Sequence, residues 1–207
     1  ILPIDTGRYG TKEMLDIFKE QKKIDYQLDI EAAAALSQSE IGLISTSIAK
    51  DIAKVSKSGK ITARRIKQLE SKSDHDTAAL VEALAEKCKK ESRPWIHYGL
   101  TSNDLVDTSN SMQMRDAIKI IQPKVSKLSL LLSKNAKKYS NLPAVGRTHG
   151  QHASIISFGL KFANWASEMS THLERLDEIK KRVLICKTLG VVGTGSLMGK
   201  NAVKVQE

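Results

Sequence analysis

Apolar residues recur three or four positions apart along nearly the whole chain, and no alternating run of strand type exceeds a few residues. The pattern predicts helices almost throughout. Ile41, Ile44, Ile48, Ile52 and Val55 form one stripe after the polar stretch at 37–39, and SKSGK (56–60) ends it. A short helix follows from about Thr62. Asp74 or Asp76 is then expected to cap a helix carrying Leu80, Val81, Leu84 and Cys88, because a short carboxylate satisfies free N–H groups at a helix start. His75 is thereby placed at a helix N-terminus.

After the loop ESRPW (91–95), the polar residues at 101–103 read as the start of a helix running toward Ile121, and Pro123 is expected to kink or restart it. Val125, Leu128, Leu131, Leu132 and Ala136 continue an apolar face to about Tyr139. NLPAVGRTHGQ then reads as a break before a third long helix from roughly Ile155 to Val183. The closing GVVGTGSLMGK (190–200) carries four glycines and reads as a loop, and KNAVKVQE is too short to assign. The predicted fold class is all-α: a small N-terminal helical domain over 1–110, then the first long helices of a central bundle over 111–207. The apolar faces of those helices exceed what three helices cover, so further helices or other subunits are expected against them.

A chain of 207 residues with 41% hydrophobic content can bury a real core. No run approaches the roughly eighteen apolar residues of a membrane span, and ILPIDTGRYG lacks the basic-then-apolar order of a secretion signal. A soluble, cytoplasmic protein is expected. Cys88 and Cys186 lie in helical patterns without ligand spacing, which predicts buried thiols in a reducing compartment, with neither disulfide nor zinc. The formal charge of +10 arises from 33 Lys+Arg against 23 Asp+Glu and suits nucleic acid, an anionic membrane or a small anionic substrate. Aromatics are only 4%, and no basic stretch is interleaved with stacking residues, which argues against nucleic acid.

Two segments concentrate chemistry: HYGLTSNDLVDT (97–108) and GRTHGQHA (146–153). Thr101 and Ser102 stand before a helix, where hydroxyls and free backbone N–H groups favour an anion such as a carboxylate. An ordinary hydroxyl cap, with Asn103 and Asp104 complementing the dipole, accounts for the same residues. Arg147, Thr148, His149, Gln151 and His152 crowd one predicted loop, with Gly146 and Gly150 allowing sharp turns or a close ligand approach. His149 can act as general acid or base and Thr148 can hold an anionic group beside it; a polar interhelical loop is the alternative. DHD (74–76) flanks His75 with carboxylates that orient or charge an imidazole, or that simply cap a helix. His97 lies within the polar cluster, whereas His172 is mid-helix and reads as structural. GVVGTG lacks the ending of a P-loop and follows a helix, and no HExxH-type metal spacing occurs.

GRYGTKEM (7–14), KSDHD (72–76), HYGLTSNDLVDT, GRTHGQHASIISFGLK and GVVGTG resemble, in order and spacing, the fumarase/aspartase superfamily, and within it the adenylosuccinate lyase family. The resemblance covers essentially the whole chain. It implies cofactor-free β-elimination of fumarate from adenylosuccinate, giving AMP, and from the succinylated carboxamide ribotide of purine synthesis, by a homotetramer acting on a small anionic nucleotide. It also implies roles: His149 as general acid toward the departing nitrogen with His75 as its partner, and Thr148 at the reacting centre. Arg8 and Tyr9 would contact the nucleotide, Thr101 and Ser102 the succinyl carboxylates, and His97 the region of the phosphate, with Asp76 also on the substrate side. The family's base is a serine on a Gly-Ser-Ser-x-Met-Pro loop that this sequence lacks, so the chain is expected to be an N-terminal portion, inactive alone. Asp74 stands where the family commonly has a basic residue. The carboxymuconate-cycloisomerase branch, which shares a similar His-Trp-Gly-Ala-Thr-Ser stretch, and a noncatalytic helical module are the competing readings.

Overall fold

The computed structural model describes residues 7–207, so the first part of ILPIDTGRYG lies outside the described residues. Eight α-helices are formed among them: α1 (Lys12–Ile17), α2 (Glu20–Glu40), α3 (Thr46–Ser56), α4 (Ala63–Ser73), α5 (Asp76–Lys87), α6 (Ser102–Lys138), α7 (Gly159–Val183) and α8 (Ala202–Gln206). The helical class read from the periodicity is the class observed. One antiparallel hairpin is added to it, strands β1 (Pro143–Thr148) and β2 (Gln151–Ser157). No helix among the described residues is long and apolar enough to cross a membrane.

The chain divides into two compact units. One contains the residues up to Met114 together with Leu184–Glu207, and the other is Arg115–Val183. In the first, α2 is the central helix. Ile24, Leu28, Glu31, Ala35 and Gln38 recur at helical spacing along it and are all buried, while Ala32 and Ala34 widen the covered face. Small alanine side chains let α3 approach closely, and Ala49 and Ile52 of α3 are fully buried in the same core as Leu80, Ala83 and Leu84 of α5. Each fully buried aliphatic side chain stabilises the fold by about 1.5–3 kcal/mol through removal from water. The closing segment packs back here as well: Met198, Ala202 and Val205 belong to this core.

Local chemistry explains where the helix boundaries differ from the pattern. The stripe from Ile41 to Val55 is divided, because Ser45 caps α3 by accepting from the Ile48 N–H (3.4 Å), leaving Ile41 and Ile44 in the preceding turn. The stretch at 37–39 lies inside α2 and is not a break. Thr62 caps α4 through Arg65 N–H (3.2 Å), close to the expected start. Neither Asp74 nor Asp76 caps α5. His75 does so itself, its Nδ1 accepting from Ala78 N–H (3.2 Å), while Asp74 ends α4 in a left-handed conformation with φ 51°. Cys88 is buried as expected, and Cys186 is exposed, against expectation.

In the second unit, α6 continues through Pro123 without the restart that was one of the two expectations there. The proline costs the bond from its missing N–H, which leaves the Lys119 carbonyl without its usual helical donor. The helix expected from Ile155 begins only at Gly159, because 143–157 forms the hairpin. Thr148 pairs with Gln151, leaving a two-residue loop in which His149 (φ 49°) and Gly150 (φ 71°) both have positive φ, the requirement of a type I′ turn. The register shifts between Val145 and Arg147, at Gly146, where a Cβ would lie 2.8 Å from the Ser154 carbonyl oxygen. Tyr139, Phe158, Phe162 and Trp165 form a ring cluster at the hairpin base, with Tyr139 and Phe162 stacked at 5.8 Å. Leu128, Leu130, Leu131, Leu160 and Ile179 remain exposed on α6 and α7.

Candidate active site

His97 sits on a short turn between a 3-10 segment (Arg93–Trp95) and α6, with φ 61°, followed by Gly99 at φ 75°. Leu100 N–H closes the turn on the His97 carbonyl (3.2 Å). Two buried polar residues of α2 hold it in place. Glu31 accepts from the His97 backbone N–H (2.9 Å) and meets the ring at Nδ1 (2.6 Å), and Gln38 donates from Nε2 to the Tyr98 carbonyl (2.7 Å). A carboxylate only accepts, so the Glu31 contact puts a proton on Nδ1 and leaves Nε2 as the nitrogen without a partner among the described residues.

Thr101 and Ser102 lie at the start of α6, both half-buried. Asp104 organises this end. It is fully buried, and its Oδ2 accepts from both Thr101 N–H (3.0 Å) and Gly190 N–H (2.9 Å), while its Oδ1 has no partner among the described residues. The glycine-rich segment packs directly on this turn. A Cβ at Gly190 would come within 3.0 Å of the Gly99 oxygen, and one at Gly99 within 2.9 Å of Met198 Cε. Thr108, one turn further along α6, accepts from Lys187 N–H (2.9 Å) and donates to the Lys187 carbonyl (3.1 Å). The α6 N-terminus is therefore fixed by the loop that leads into α8.

His75 and Asp76 occupy the α4–α5 junction and are exposed. Because His75 Nδ1 accepts the Ala78 N–H, a neutral ring carries its proton on Nε2, the opposite tautomer to His97. Asp76 accepts from Thr77 N–H (2.6 Å). Arg8 and Tyr9 lie in the exposed turn before α1, with Tyr9 79% exposed. In the second unit Thr148 and His149 form the tip of the hairpin, also exposed, with Arg147, Gln151 and His152 on its arms. His172 is on α7 and faces Glu168 (3.8 Å) and Arg175 (3.4 Å).

His97 and Thr101 thus share one turn, His75 and Asp76 one helix junction, and Thr148 and His149 one hairpin tip. Among the described residues with positive φ, the non-glycines are Asp74, His97 and His149. Each is, or directly precedes, one of the candidate histidines. Sequence reasoning missed Glu31 and Gln38. Their signal was present, since both fall on the apolar stripe of α2 where a polar residue must find a buried partner. The Cys88 thiol is pushed up to about 12, first by burial and then by the charge of Asp51, so it is no nucleophile near neutrality.

A protein-family profile described as lyase matches residues 7–206. Adenylosuccinate lyase from Methanocaldococcus jannaschii is 42% identical over 99% of this chain and 44% of its own length. Adenylosuccinate lyase from Methanothermobacter thermautotrophicus is 39% identical over 97% of this chain and 44% of its own length. An N-acetyl-S-(2-succino)cysteine lyase from Enterococcus italicus is 38% identical over 97% of the chain. Among solved structures, fumarate lyase from Mesorhizobium sp. BNC1 superposes with a TM-score of 0.88 at 29% identity, covering 96% of this chain and 48% of that one. The 3-carboxy-cis,cis-muconate lactonizing enzyme from Pseudomonas putida gives the same TM-score at 29% identity, covering 95% of this chain and 46% of that one. The chain therefore spans less than half the length of these relatives.

Proposed function

This chain belongs to the lyase family, and on that premise we propose that the protein carrying it eliminates fumarate from adenylosuccinate to give AMP, and from the matching succinylated carboxamide ribotide. The observation that carries this reading is the sustained identity, 37–42% over 97–99% of the chain, to several adenylosuccinate lyases. The protein works in the cytoplasm on an anionic nucleotide, without a cofactor, as a homo-oligomer of homotetramer form.

The family resemblance, together with the chemistry of elimination, supports the following roles. Taking a proton from the carbon beside a carboxylate pushes negative charge onto that carboxylate. The α6 N-terminus and the hydroxyls of Thr101 and Ser102 stabilise such charge, since backbone N–H groups and the helix dipole favour an anion there. The breaking C–N bond leaves an electron pair on nitrogen, which takes a proton from the imidazole of His149. Thr148 steadies the reacting group, and His75 is a second catalytic histidine. His97 receives the substrate phosphate, while Arg8 and Tyr9 contact the nucleotide and Asp76 also binds substrate. The base that removes the carbon-bound proton is assigned to no residue of this chain.

Turnover by the full-length protein tests this. Loss of succinyl-nucleotide absorbance is expected with adenylosuccinate, and His149→Gln should lower kcat about 100-fold or more while changing KM far less. Near-normal kcat in that variant would assign the acid elsewhere. A second reading follows from the Enterococcus italicus relative, whose name also carries a succino group. Preferred turnover of an S-succinocysteine derivative over adenylosuccinate would favour a C–S lyase.

A further inference from the structure

We propose that Glu31 is a positioning residue that orients His97 and holds a proton on its Nδ1, so that a second proton enters at Nε2 and the ring donates from Nε2 to an anionic group of the substrate. The proposal rests on the lyase reading for the identity of that group, and on the geometry of the first unit for everything else.

Glu31 is only 2% exposed, in the middle of α2, where a carboxylate is costly unless fully used. Both oxygens are used on one residue: Oε2 accepts the His97 N–H (2.9 Å) and Oε1 meets Nδ1 (2.6 Å). Holding the turn alone does not require a charge. Two helical turns along the same face, Gln38 pins the Tyr98 carbonyl with a neutral amide, and a neutral amide oxygen at position 31 would serve the His97 N–H equally well. The carboxylate is accounted for by the ring. With Nδ1–H donated to Glu31, any second proton goes to Nε2, and the resulting cation has a buried counter-charge at its back. Such a ring is suited to phosphate or carboxylate, while the His97 backbone at φ 61° fixes where it stands.

Glu31→Gln separates positioning from simple support. Glutamine has one acceptor, which the His97 N–H takes, so its NH₂ faces Nδ1. Nδ1 must then accept, and the proton moves to Nε2. In the full-length protein with 15N-labelled histidine at about pH 9, where imidazoles are generally neutral, nitrogen NMR should show the His97 proton on Nδ1 in the unaltered protein and on Nε2 in E31Q. In the lyase assay E31Q should raise KM about tenfold, the difference between an imidazolium paired with the anion and a neutral ring donating to the same anion, with kcat within about threefold. A proton on Nε2 in the unaltered protein overturns the proposal even if E31Q does not fold. So does an unchanged ring in E31Q, or a reversed tautomer with unaltered KM. Failure of the lyase reading appears separately, as no turnover of succinyl substrates by the unaltered protein, and the nitrogen spectra then decide the role of Glu31 alone.

Discussion

Asp104→Ala should be among the most damaging single changes at the N-terminus of α6. The side chain is fully buried and its Oδ2 accepts two backbone N–H groups, from Thr101 (3.0 Å) and Gly190 (2.9 Å). Hydrogen bonds to a charged acceptor contribute about 1.5–3 kcal/mol each, and alanine leaves both part-buried donors unpaired. Against this stands relief from burying a carboxylate whose Oδ1 has no partner among the described residues, so the net loss should be about 2–4 kcal/mol. Asp104→Asn keeps one oxygen where Oδ2 stands but puts an NH₂ in place of Oδ1, and should cost about 1–2 kcal/mol. Urea unfolding reports the losses, and amide exchange localises them to Thr101 and Gly190, whose protection should fall in both variants. A loss below about 1 kcal/mol for Asp104→Ala, or unchanged exchange at those two amides, would refute the claim that this carboxylate clamps the helix start to the glycine-rich segment.

The remaining predictions address different elements. Gly159→Ala places a Cβ 2.5 Å from the Ala136 oxygen and should cost about 1–3 kcal/mol, read as a lower thermal midpoint and weaker near-ultraviolet signal from the Tyr139 cluster; an unchanged midpoint contradicts that packing. A maleimide should label Cys186 rapidly and Cys88 only after unfolding, checked by mass spectrometry. Because the folded thiol of Cys88 is raised to about 12, its contribution to stability is complete below the unfolded value near 9 and is lost as pH rises toward 12, so urea midpoints should decline across that window. The exposed leucines of α6 and α7 predict self-association, and light scattering showing a compact monomer at micromolar concentration would count against it. His172→Gln should leave kcat within about twofold, since its partners Glu168 and Arg175 lie on its own exposed helix face.

The helices were legible because their burial is one-sided: the stripe Leu80, Leu84, Cys88 is a buried face of the first unit, as its spacing predicts. The hairpin was not, and the reason is physical. Its strands are largely exposed, with Ile155 80% exposed and polar residues on both faces, so no alternation records a buried side. Its turn residues are His-Gly rather than the Asn-Gly that announces a type I′ loop. The α5 cap was misassigned for a related reason, since imidazole Nδ1 accepts a backbone N–H as a carboxylate does. The return of the chain end onto α2, through Met198, Ala202 and Val205, is a long-range contact that no local pattern encodes. Glu31 was readable in retrospect, as a charge on an apolar stripe, although which residue it meets was not.

The positions where the chain departs from its own local preferences are those that carry the candidate chemistry. Left-handed backbone at a residue other than glycine, asparagine or aspartate costs on the order of 1 kcal/mol or more, and it persists only where the surroundings enforce it. At His97 the enforcement is visible, in Glu31 and Gln38 from α2 and in Gly99 packed against Met198. At His149 it is the hairpin register, and there the chain keeps histidine where asparagine would suit the turn better. His149→Asn should therefore hold or raise the melting temperature while abolishing most turnover in the full-length protein. A variant that is both less stable and fully active would show that the histidine is retained for the turn rather than for proton transfer.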